Sequence, residues 1–81
     1  MAVEVKTRLR QYREELTTPK VSQETMARKI GISLQWYRQL ESCEQNTSYS
    51  TANAILRALN SERQHRGQEA LTLDQLELNI V

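Results

Sequence analysis

The chain has 81 residues, eleven Lys or Arg against ten Asp or Glu, and a formal net charge of +1. That length holds one domain, read as residues 1–81, with a modest core. One cysteine, Cys43, and one histidine, His65, exclude an internal disulfide and a zinc site.

Other exclusions follow from pattern. No apolar run approaches a membrane span, and the opening MAVEVKTRLR lacks the apolar stretch of a signal peptide. A lone thiol fits a reducing cytosol, so a cytoplasmic protein without cofactor or metal is expected. His65 reads as a solvated polar residue. With no Ser-His-Asp set and no glycine loop to cradle phosphate, the chain is not expected to be an enzyme. Charge is uneven. Residues 1–40 carry Lys6, Arg8, Arg10, Arg13, Lys20, Arg28, Lys29 and Arg38 against four acids, whereas residues 41–81 carry Arg57, Arg63 and Arg66 against six. A basic half beside an acidic half suits one face toward phosphates and another toward solvent or a partner; scatter over a small surface is the alternative.

Scarce proline and glycine favour helices. Val3 to Leu16 sets Val5, Leu9, Tyr12 and Leu16 at spacings of four, three and four, one apolar stripe on a helix. Thr17-Thr18-Pro19-Lys20 breaks it. Ser22 caps the next helix, whose apolar face is Met26, Ala27 and Ile30. Gly31 stops that helix where a left-handed conformation is needed, and Ser33 caps another over Leu34–Glu41. A polar loop, 42–50, ends in a cap at Ser48 or Ser50. Ala52, Ile55, Leu56 and Leu59 mark a fourth helix running to Arg66 and stopped by Gly67. In the C-terminal segment, 71–81, Leu73 and Leu76 fit a short helix capped by Thr72, while Leu76, Leu78 and Ile80 alternate as in a strand. A short helix with an extended tail is expected.

Residues 22–41 meet the needs of two short helices crossing tightly: small Ala27 at the contact, Gly31 at the turn, and Met26, Ile30, Ile32, Tyr37 and Leu40 to bury the joint. The run SQETMARKIGISLQWYRQLE resembles the helix-turn-helix of the XRE-like family of lambdoid phage repressors and Cro proteins. ESCEQNTSYSTANAILRAL resembles that family's loop and fourth helix, and RLRQYREEL its first helix. The resemblance covers roughly residues 5–60 and implies an all-α, four- to five-helix, lambda-repressor-like domain. Three features depart from the family: a longer first loop, Cys43 in place of a glycine, and an insertion at about 60–70.

The resemblance implies sequence-specific binding of double-stranded DNA, with the helix Leu34–Glu41 in the major groove. Leu34, Gln35, Arg38 and Gln39 would face base edges, Gln35 or Gln39 pairing with adenine, Arg38 with guanine or phosphate, and Leu34 touching a thymine methyl or packing. Backbone contacts are expected from Gln23, Ser33, Gln45, Asn46, Thr47 and Ser48, with longer-range attraction from Lys6, Arg10 and Lys20. Trp36 either donates its indole N–H to a phosphate or completes the core, and Tyr37 belongs to the core. Arg13 and Glu41 are expected to form a partly buried pair, structural like Ala27 and Gly31.

Three roles remain open: a stand-alone repressor, an antitoxin or adaptor that also holds a toxin or anti-repressor through its acidic half, and an interaction module that has lost DNA binding. A homodimer is expected, with Leu73, Leu76, Leu78 and Ile80 either forming its contact or closing the monomer core.

Overall fold

The computed structural model describes residues 7–42 and 46–81. In chain order they form helices α1 (Arg8–Glu14), α2 (Gln23–Ile30) and α3 (Leu34–Ser42), strand β1 (Asn46–Thr47), helix α4 (Tyr49–His65), a 3₁₀ helix (Leu73–Leu76) and strand β2 (Asn79–Ile80). The all-helical expectation holds, with a two-stranded parallel bridge added.

Each helix begins at a polar cap. Thr7 accepts from the Arg10 N–H at 3.2 Å and caps α1 ahead of Arg8; the earlier part of the expected stripe, with Val3, Val5 and Lys6, lies outside the described residues. The Thr7 hydroxyl also donates to the Glu41 carbonyl at 2.8 Å, joining the start of α1 to the end of α3. Ser22 caps α2 through Thr25, Ser33 caps α3 through Trp36, and Ser48 caps α4 through Thr51. Such caps satisfy N–H groups that have no partner within the helix.

Gly31 makes the turn. Its φ of 89° lies in the left-handed region, and its N–H donates to the Ala27 carbonyl at 2.9 Å. Nothing lies within 4 Å of where a Cβ would stand, so the requirement for glycine is conformational and not steric.

The core is one cluster. Leu9 and Leu16 from the first segment, Met26 and Ala27 from α2, Tyr37 and Leu40 from α3, and Ile55, Ala58 and Leu59 from α4 meet at its centre. Leu71 and Leu76 close it from the C-terminal side, with Leu73 and Leu78 packed against it. Those leucines are therefore engaged within the chain. Of the apolar stripe expected either to form a dimer contact or to close the core, Ile80 stays exposed, beside Val81.

The longer first loop and the region around 60–70 turn out to be one feature. Residues 60–65 are the last turns of α4, and Arg66 follows as its C-cap. Arg66 donates to the carbonyls of Thr17 (3.1 Å) and Pro19, holding the loop that turns through a cis Thr18–Pro19 bond. Its other nitrogen bonds the Glu62 carboxylate at 3.0 Å, and Glu62 also takes Lys29 from α2. The Lys29 hydrogen bond holds the Glu62 carboxyl below its usual range; burial opposes this and Arg66 adds to it. Asn60 then brackets Leu71, accepting from its N–H at 2.7 Å and donating to its carbonyl at 3.1 Å.

Candidate nucleic-acid interface

Helix α3 divides its residues between two environments. Tyr37, Leu40 and Glu41 point inward, at 0%, 3% and 2% exposure. Leu34, Gln35, Arg38 and Gln39 share the opposite side and, with Ser42, line one open, shallow depression. The split follows from helical periodicity, since 34, 38 and 42, like 35 and 39, are one turn apart. Gln35 and Arg38 are exposed and make no side-chain hydrogen bond or ion pair among the described residues. An amide and a guanidinium projecting together offer the donors and acceptor that base edges require.

The inner side is fixed by a polar network. Arg13 reaches from α1 to Glu41 through two bonds, Nε to Oε2 at 2.5 Å and an Nη to Oε1 at 3.1 Å. Its remaining Nη donates to the Val21 carbonyl at 2.9 Å. Burial opposes the guanidinium charge, yet the hydrogen bonds and charge of Glu41 prevail and raise its pKa. Gln23, the first residue of α2, donates its amide to Glu41 Oε1 at 2.9 Å. One carboxylate thus joins α1, α2 and α3, and the expected Arg13–Glu41 pair is present.

Tyr37 is enclosed in the core, as expected, and its hydroxyl has no hydrogen-bond partner of good geometry among the described residues. Burial pushes its pKa far up, and the nearby Glu41 charge adds to this.

Other candidates fall in different places. Trp36 is half-buried and packs against the core, consistent with the core alternative, while part of its ring stays accessible. The hydroxyls of Ser33 and Ser48 serve first as caps, although both residues are exposed. The Gln23 side chain, at the start of α2, is turned toward Glu41 and not outward. Thr47 is a correction. Expected to face DNA, it is 1% exposed, because β1 alternates and turns Asn46 outward and Thr47 inward. Arg10 pairs with Glu14 at 3.2 Å along α1. Lys20 lines a separate depression with Arg13, Glu14, Leu16 and Val21. Lys6, Cys43 and Gln45 lie outside the described residues.

Near this face, sequence reading missed Ser42 and the β1–β2 pairing. Ser42 extends the outer face of α3 by a turn, and its spacing from Arg38 carried that signal. The pairing of β2 with β1, Asn46 opposite Asn79 and Thr47 opposite Ile80, had no local signal because the residues are 33 positions apart.

Among the described residues, no helix is long and apolar enough to cross a membrane. Searches of curated proteins and of solved structures gave no match. A family model described as a helix-turn-helix domain matches residues 7–68, which span α1 through the end of α4. With the capped helix pair, the Gly31 turn and that match together, the chain belongs to this family of XRE-like helix-turn-helix DNA-binding domains.

Proposed function

We propose that this protein is a sequence-specific reader of duplex DNA that represses transcription, acting as a binding module and not as an enzyme. In this reading the chain is one unit, and α3 enters the major groove while α2 crosses the backbone. The observation that carries it is the outer face of α3, where Leu34, Gln35, Arg38 and Gln39 lie together on one open surface. Gln35 or Gln39 pairs with adenine, Arg38 takes guanine or a phosphate, and Leu34 contacts a thymine methyl. Backbone contacts come from the start of α2 at Gln23, from Ser33, Asn46 and Ser48, and from the accessible edge of Trp36. Arg10 and Lys20 add longer-range attraction.

One reading head covers few base pairs, so two copies bind half-sites a helical turn apart. A second reading, an antitoxin or adaptor that also holds a protein partner, draws on the exposed apolar side chains of Tyr49, Ile80 and Val81.

Selection of preferred sites from random DNA, followed by fluorescence anisotropy, tests the proposal. Arg38→Ala and Gln35→Ala should each weaken binding to the selected site by about 1–3 kcal/mol, relaxing preference at one base position each. No enriched site, or equal affinity for the selected site and a random duplex, would overturn it.

A further inference from the structure

The short parallel ladder joins the loop after α3 to the end of the chain, an arrangement the helix-turn-helix itself does not require. Asn79 Nδ2 donates to Asn46 Oδ1 at 2.6 Å, and the Val81 N–H donates to the Thr47 carbonyl at 3.1 Å. Thr47 points inward, so Asn46 is the residue of β1 that the ladder presents to solvent. This hydrogen bond decides which end of the Asn46 amide is available. Its carbonyl oxygen is taken by Asn79, which leaves the NH₂ group as the outward donor. Phosphate oxygens in duplex DNA only accept, so a donor is the end they need.

We infer that Asn79 is a positioning residue for DNA binding: through its hydrogen bond to Asn46 it aims the Asn46 amide donor at a phosphate beside α3. The inference rests on the proposed docking of α3. Asn79 itself touches no DNA; it acts through Asn46.

The tail is a suitable strut because it is anchored upstream. Two paired residues are far below the size of an independently stable sheet. The register of β2 is instead set by Leu76, 1% exposed in the core, by the Thr72–Gln75 capping box, and by Glu77, which takes Arg8 from α1 at 2.6 Å. Fixing the amide in advance removes an ordering step from binding. Because Asn46 is neutral, its phosphate contact displaces no counterion.

The test is anisotropy on wild type, Asn46→Ala, Asn79→Ala and the double variant, using the selected site and a random duplex across a salt series, with thermal melts alongside. Asn79→Ala should weaken both duplexes, by up to the roughly three- to tenfold that one hydrogen bond represents, as the unheld amide turns away, with the salt slope unchanged. Asn46→Ala should lose at least as much, the double variant should lose no more than Asn46→Ala alone, and melting should stay near wild type because the pair is exposed. Deleting residues 79–81, which keeps Leu76 and Leu78, should reproduce the loss. Wild-type affinity in Asn79→Ala overturns the inference, as do losses that add in the double variant or that follow a lowered melting temperature. Failure of the wild type to bind any duplex would instead refute the docking of α3, and this inference with it.

Discussion

Replacing Arg13 with methionine removes the guanidinium but keeps an apolar stem of similar reach. Glu41, whose side chain is 1% exposed, then loses two of its three hydrogen bonds and its only counter-charge among the described residues. The Val21 carbonyl loses a donor as well. Removing one partner of a buried pair typically costs about 3–5 kcal/mol, and Arg13, 16% exposed, places this case at about 3. A domain of this size has about 4–12 kcal/mol in total, so the loss is a large share. At about 4–8 °C per kcal/mol, melting should fall by at least about 12 °C. Urea unfolding followed by helical circular dichroism measures the same quantity. Arg13→Met combined with Glu41→Leu should recover most of the loss, since neither half of the pair is then left buried alone. A melting shift under about 4 °C, or a double variant no more stable than the single, would refute the reasoning.

Two further predictions test other parts of the fold. Tyr37→Phe removes a buried hydroxyl that has no partner among the described residues, so stability should stay unchanged or rise by up to about 1 kcal/mol; a loss above that in urea unfolding would mean the hydroxyl is bonded in solution. Glu62 has a folded pKa held below its ordinary value, so the native state binds fewer protons there than the unfolded chain. Its contribution is therefore complete above the unfolded carboxylate range, near pH 5 and higher, and fades as pH falls through the depressed folded pKa. Unfolding curves between about pH 3 and pH 6 should show a shallower acid decline in Glu62→Gln than in wild type, and parallel declines would contradict this.

The helix-turn-helix was legible because its signals are local. Ser22, Gly31 and Ser33 are a cap, a stop and a cap within twelve residues, and each acts on its own neighbours. The outer face of α3 was legible for the same reason, since 3.6-residue periodicity assigns Leu34, Gln35, Arg38 and Gln39 to one side. Thr47 was misplaced because two residues of strand inside a polar loop reverse a side chain without changing composition. The clamp at Arg66 was out of reach as well. It spans 47 and 49 positions to Pro19 and Thr17 and uses their backbone carbonyls, which have no residue signature. Leu76 could be read either as dimer contact or as core, and the 3₁₀ helix that buries it settles its place in the core.

Trp36 gives the chain an optical reporter of its own. It is the sole tryptophan, half-buried against the core, with Gln35 on one side in sequence and Tyr37 and Arg38 on the other. Emission excited in its absorption band therefore comes from one point on α3, sensitive to loosening of the core beneath it and to the polarity of whatever covers its accessible edge. Occupancy of that helix and integrity of the fold can be followed in the same cuvette, without attaching a dye.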